Sequence, residues 1–130
     1  MIYLDTSAAA KLVLPEAESD ALAIFLVERI ATPLVSSVLL YPELVRAVNR
    51  HRPDLAERAI ALLQRIMTVP LDHAIVVRSA TIGNPLVRTL DALHLATAVT
   101  IRSEIDELVT YDKRLAESAA ALGLTVAAPV

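Results

Sequence analysis

Apolar positions along this chain switch between a strand period and a helix period, and each switch marks an element. Ile2, Tyr3 and Leu4 form a short β-prone run that stops at Asp5. Ala8 to Leu14 fits a helical turn or two closed by Pro15. Glu16 to Ile30 fits a helix with Leu22, Phe25, Leu26 and Ile30 on one face. A second strand is predicted over Leu34 to Ser37, then a helix through Asn49 that turns Leu40, Leu44, Val45 and Val48 inward. Pro42 either opens that helix or kinks its first turns. The stripe Leu55, Ala59, Leu62, Leu63 and Ile66 predicts a helix from Asp54 to Met67, with Thr68 to Pro70 as a short edge strand.

The second half repeats the alternation. Asp72 is placed to cap a helix through Ala80, and Gly83-Asn84-Pro85 reads as a loop. Leu90 to Ile101 is a strongly apolar helix, and Glu107 to Thr110 is a strand. Lys113 to Leu122 is a helix stopped at Gly123, and Leu124 to Ala127 is a last strand. Strands alternating with helices predict one α/β domain over residues 1–130. Its three layers would be helices on both faces of a mostly parallel sheet of about 4–5 strands.

Composition sharpens this picture. The chain has 130 residues, 55% of them hydrophobic and only 3% aromatic, so the core is aliphatic. The apolar surplus predicts an uncovered face and hence a homodimer. The absence of cysteine excludes disulfides and thiolate metal sites. A net charge of −3 argues against a general nucleic-acid coat protein. With so few aromatics, any nucleic acid would be gripped through phosphates and metal rather than by stacking. The N-terminus carries Asp5 where a signal peptide would be apolar. The longest apolar stretch, Ala31 to Pro42, is too short for a membrane span and contains Pro33. The expectation is a cytoplasmic protein without a membrane segment.

Four acids stand apart from the other charges: Asp5 in MIYLDTSA, Glu43 in LLYPELVRA, Asp91 in RTLDALHLATA and Asp112 in LVTYDKRL. Each lies among apolar residues, where a carboxylate costs free energy to desolvate. Asp5 and Asp112 follow strand ends, and Glu43 and Asp91 fall near helix starts. In an open parallel sheet all four positions belong to the carboxyl edge, where ligands bind. Bland readings stand beside this one. Asp5 and Asp112 would each cap the helix that follows, Glu43 would pair with Arg46 or Arg50, and Asp91 would favour a helix dipole. His94, three residues after Asp91, is a further possible ligand on the same helix face.

Magnitude bears on whether such a cluster stands alone. Carboxylates about 5 Å apart repel by roughly 3 kcal/mol per pair at an effective dielectric of about 20. Four of them make six pairs, and a sum of about 20 kcal/mol exceeds the roughly 5–15 kcal/mol stability of a whole domain. A real cluster is therefore looser, hydrated or partly protonated, and a hard divalent cation is its natural remedy. An all-oxygen set suits Mg²⁺, with Mn²⁺ as substitute, better than zinc.

Taken in order, MIYLDTSA, SSVLLYPELVRA, RTLDALHLATA and LVTYDKRL make the chain resemble the PIN-domain ribonucleases, most of all the VapC-type toxins of toxin–antitoxin pairs. The resemblance implies a magnesium-dependent endoribonuclease in which Asp5, Glu43, Asp91 and Asp112 are the catalytic and metal-holding acids. Thr6, Ser7 and Thr110 match the small hydroxyl residues that line such sites. Metal-activated water would attack phosphorus and leave a 3′-hydroxyl and a 5′-phosphate. The same resemblance implies a homodimer, inhibition by a VapB-type antitoxin, and a tRNA or ribosomal RNA loop as substrate.

Arg46, Arg50 and Arg88, with Lys11, Lys113 and Arg114, are candidates for flanking RNA phosphates; their alternative is an ordinary solvated surface. The helices over Glu16 to Ile30 and Val38 to Asn49 are expected to form the groove for an amphipathic antitoxin segment. Two other enzyme classes fit poorly. A haloacid-dehalogenase phosphatase needs a second Asp where Ser7 stands, and a receiver domain needs an acid pair at the first strand. The remaining rival is a PIN-like scaffold that binds a partner and cuts nothing.

Overall fold

A computed structural model describes residues 1–130. Five strands lie in one sheet in the order β3-β2-β1-β4-β5, every neighbouring pair parallel. They are β1 (Ile2–Leu4), β2 (Leu34–Ser37), β3 (Ile66–Val69), β4 (Glu107–Val109) and β5 (Val126–Ala127). The connections are α1 (Thr6–Lys11), α2 (Ser19–Val27), α3 (Leu40–His51), α4 (Ala56–Leu63), α5 (His73–Ser79), α6 (Thr89–Thr100) and α7 (Lys113–Ala121).

The pleat divides the core in two. Ile2 and Leu4 of β1 point to one face, into a cluster with Ala8, Leu22, Leu40, Leu44, Val48 and Leu63 from α1 to α4. Tyr3 points to the other face and joins Val35, Leu95, Leu108, Leu115 and Ala119, which include residues of α6 and α7. Adjacent residues of β4 part in the same way, Leu108 to one cluster and Val109 to the other. Helices thus cover both faces, and the three-layer α/β/α arrangement with a parallel sheet matches the expectation from sequence.

Several boundaries differ from the periodicity. The helix expected over Asp54 to Met67 is a 3-10 turn at Pro53–Leu55 followed by α4, which ends at Leu63. Ile66 is buried, but as the first residue of β3, where it pairs with Leu34. The β-branched Ile66, Thr68 and Val69 suit a strand, and pairing with β2 satisfies backbone groups that a longer helix would have used. β3 is an edge strand, as Pro70 suggested, although it begins two residues earlier than Thr68.

The helix expected over Glu16 to Ile30 narrows to Ser19–Val27, and Ile30 is 74% exposed rather than inward. Lys11 holds Glu16 and Glu18 at 2.8 Å each before α2 starts. Pro42 lies in the first turn of α3, where its missing N–H would have had no partner inside the helix.

In sheet order, the direction of progress reverses between β1 and β4. The crevice beyond their carboxyl ends is the topological switch point, where such sheets bind ligands. Asp5 follows β1 directly, and Thr110 to Asp112 follow β4.

Candidate active site at the end of strands β1 and β4

Asp5 is 1% exposed and anchored to the chain through both carboxylate oxygens, with acceptor capacity left on Oδ2. Its Oδ1 accepts the Ser7 hydroxyl at 2.7 Å and the Ala8 N–H at 2.9 Å, while Oδ2 accepts the Thr110 hydroxyl at 2.6 Å. The Ala8 bond makes Asp5 the cap of α1, so its capping role and its place in the crevice coexist. Burial raises the Asp5 carboxyl above the usual range, against the three donors and the nearby His94, which favour the anion.

Thr110 and Ser7 bind this corner together. The Asp112 N–H donates to the Thr110 hydroxyl at 3.1 Å, and the Tyr111 N–H donates to the Ser7 hydroxyl at 2.9 Å. The Asp112 carboxylate caps α7 by accepting the Leu115 N–H at 2.8 Å. Asp91 enters from the first turn of α6. Burial raises its carboxyl, and the negative charges of Asp112, Asp5 and Glu43 push the same way, with His94 opposing. One side chain therefore feels the other three acids at once.

Glu43 has a different partner from the one sequence offered. It makes no ion pair with Arg46 or Arg50, both exposed; the His94 Nε2 lies 2.7 Å from its Oε1, and the Thr6 hydroxyl donates to the same oxygen at 3.0 Å. His94 is 1% exposed, and its Nδ1 lies 2.9 Å from the Tyr3 hydroxyl, which also accepts the Ser37 N–H at 3.1 Å. Both ring nitrogens are engaged, so His94 has none left for a metal. Burial drives the Tyr3 phenol far above its ordinary value, which keeps it neutral. Sequence reading missed Tyr3 altogether, because a tyrosine inside an apolar strand looks like core. Its one signal was a phenol that, once buried, needs a hydrogen-bond partner.

The crevice continues into a cleft of about 310 Å³ lined by Leu86, Arg88, Asp91, Asp112, Lys113 and Arg114. No lysine or arginine forms an ion pair with Asp5, Asp91 or Asp112. Lys11, one of the candidate phosphate contacts, is occupied elsewhere by Glu16 and Glu18 and lies 4.7 Å from the centre of the Tyr111 ring.

No three acidic or histidine side chains stand close enough to enclose a metal ion. Three of the four acids have their own anchors: Ser7, Ala8 and Thr110 for Asp5, His94 and Thr6 for Glu43, and the Leu115 N–H for Asp112. The donor set still fits a hard cation. It offers carboxylate oxygens without cationic partners, and Mg²⁺ keeps several waters while taking one or two carboxylates directly.

A larger groove of about 520 Å³ opens elsewhere, between α2 and α4, beside the start of β2. Leu26, Val27, Ile30 and Leu62 line it, with Arg58 and Arg65 among its polar residues. α1 packs against both α2 and α3, the two helices expected to flank a groove.

Comparison with known proteins agrees with this geometry. The sequence profile of the PIN domain matches residues 2–121. Ribonuclease VapC35 of Mycobacterium tuberculosis is 44% identical over 99% of the chain and 97% of its own length. Among solved structures, M. tuberculosis VapC20, described as a sarcin-ricin loop cleaving toxin, superposes with a TM-score of 0.77 at 17% identity, covering 99% of this chain and 100% of its own. A chain of VapBC2 from Rickettsia felis, solved bound to a promoter DNA fragment, superposes with a TM-score of 0.66 at 17% identity, covering all of both chains.

Proposed function

The chain belongs to the PIN-domain family, among the VapC proteins, and from that premise we propose that it is a Mg²⁺-dependent endoribonuclease, the toxin of a toxin–antitoxin pair. One observation carries the reading. Asp5, Asp91 and Asp112 reach the switch point of the sheet with no lysine or arginine paired to them, and burial, together with the charges of the other two, raises Asp91. Anions gathered without a counter-ion favour a bound cation.

Asp5 and Asp91 would hold the metal, with Asp112 and Glu43 completing the acidic wall. Bound there, Mg²⁺ would stabilise charge on the phosphate and activate water. The chain itself supplies position. Ser7, Thr110 and the Ala8 N–H hold the Asp5 carboxylate still. Arg88, Lys113 and Arg114 line the adjoining cleft and suit flanking phosphates, and Arg46 and Arg50 lie on the Glu43 helix. No cysteine is available as a nucleophile, which suits attack by water.

Relatives that carry the name ribonuclease support RNA as the substrate, and a neighbour described as cleaving the sarcin-ricin loop favours an RNA loop, with ribosomal RNA or tRNA in the cytoplasm as the proposed targets. No helix is long and apolar enough to cross a membrane. A VapB-type antitoxin is the proposed protein partner, in keeping with the VapBC neighbour. The groove between α2 and α4, apolar with arginines at its edge, suits an amphipathic acidic segment. Exposed Val38, Tyr41, Val76 and Val77 give a second copy apolar surface to cover, and light scattering would report the homodimer.

The deciding experiment is RNA incubated with pure protein and Mg²⁺ beside an Asp5→Asn variant. Cleavage by the wild type alone, leaving 5′-phosphates, supports the reading. Equal cleavage by both exposes a contaminant, and none by either returns the chain to the scaffold alternative.

A further inference from the structure

We infer that His94 is a positioning residue: anchored at one nitrogen by Tyr3, it ties down one oxygen of Glu43 and leaves the other, Oε2, as the single oxygen that Glu43 brings to the reaction. The inference rests on the ribonuclease reading and specifies how its fourth acid works.

The hydrogen-bond directions follow from the chain outward. The Ser37 N–H donates to the Tyr3 oxygen at 3.1 Å, so the phenol proton is free to point at His94 Nδ1, 2.9 Å away. With Nδ1 as acceptor, the ring proton belongs on Nε2, which donates to Glu43 Oε1 at 2.7 Å. The Thr6 hydroxyl donates to that same oxygen at 3.0 Å. Oε1 therefore carries two donors. Oε2 makes no hydrogen bond, and because no buried polar side-chain atom lacks a partner, Oε2 must open to solvent.

A carboxylate held in this way binds through one oxygen, not two. His94 also sits three residues after Asp91 on α6, so one rigid turn brings Asp91 into the crevice and fixes Glu43, which arrives on α3. Tyr3 on β1 completes the chain of contacts and sets the ring in place; the two rings meet edge to face, 86° apart with centroids at 6.0 Å. Groups behind ligating side chains commonly change metal affinity or activity by about 10–100-fold when removed.

The test compares His94→Leu, His94→Gln and Tyr3→Phe in the full chain. RNA cleavage is measured with kcat and KM separated, and Mn²⁺ binding is measured by calorimetry without RNA. His94→Leu is expected to lower kcat by about 10–100-fold and weaken Mn²⁺ binding, with KM for RNA unchanged. His94→Gln, whose amide N–H can still reach Glu43, should recover part of both, and Tyr3→Phe should lose less than His94→Leu. A folded His94→Leu with wild-type kcat and Mn²⁺ affinity overturns the inference, as does a His94→Gln no better than His94→Leu. If His94→Leu fails to fold, Tyr3→Phe decides, and wild-type values in that variant overturn it. A wild type that neither cuts RNA nor binds Mn²⁺ is a separate result: it removes the ribonuclease reading and this role with it.

Discussion

The Thr110 hydroxyl donates to Asp5 Oδ2 at 2.6 Å, joining the residue after β4 to the residue after β1. The same hydroxyl accepts the Asp112 N–H, so one threonine orients two of the acids. Asp5 is buried, and losing a donor to a buried charged group costs about 1–3 kcal/mol. Thr110→Val should therefore lower the unfolding free energy measured in urea by that much, and the midpoint with it, whereas Thr110→Ser should stay near the wild type. A Thr110→Val protein that unfolds at the wild-type midpoint would show that this hydroxyl does not stabilise a charged Asp5.

Asp91 carries the opposite sign. Its burial and its three anionic neighbours make the charged form unfavourable in the folded chain. Asp91→Asn keeps the shape and removes the charge, so the metal-free protein should melt higher, by roughly 3–5 °C for each ~1 kcal/mol relieved. RNA cleavage should be lost in the same variant. Wild-type protein should gain melting temperature from Mg²⁺ or Mn²⁺ and lose the gain on chelation, while Asp91→Asn should respond weakly.

The pH dependence of metal-free stability follows from the same shifts. Asp5 and Asp91 have folded pKa values above their unfolded ones, so the stability they contribute is present at low pH and lost as pH rises through the folded values. Lowering the pH from neutrality toward the ordinary aspartate value of about 4 should then raise the melting temperature of metal-free protein. The pairs Glu18–Lys11 and Asp54–Arg52 act in the other direction, since their lowered carboxyl pKa values give stability that disappears only at more acid pH. Asp54–Arg52, being exposed, contributes little. Calorimetric scans across this range, with Asp91→Asn as control, should show the slope flattened in the variant.

Much of this site was legible because its acids break local patterns. Asp5 ends an apolar strand and Asp91 interrupts an apolar helix face, and an α/β alternation sends both positions to one edge of the sheet. The partner of Glu43 was not legible. Sequence offers Arg46 and Arg50 one turn away, whereas the structure supplies His94 from a helix 51 residues distant. Pairings across elements depend on how helices seat against the sheet, which periodicity does not encode. The α4 boundary was hidden for a related reason. Ile66 continues the helical stripe by spacing, yet pairing with Leu34 of β2 draws it into a strand.

The basic residues divide into two flanks, and the flanks should differ in what they do. Arg88, Lys113 and Arg114 share a cleft with Asp91 and Asp112, whereas Arg46 and Arg50 are exposed on α3, the helix of Glu43. None of the five is consumed by an ion pair, so each is available to a phosphate. Each phosphate contact on single-stranded RNA adds about 0.7 to the slope of log affinity against log salt. Replacing Arg88 and Arg114 together by Ala should weaken RNA binding and flatten that slope by about one to two such contacts. Removing Arg46 and Arg50 should do the same from the other side, and the two losses should add if one RNA strand crosses the crevice between them. An unchanged slope after either pair is removed would return that pair to ordinary solvated surface and confine the RNA path to the opposite flank.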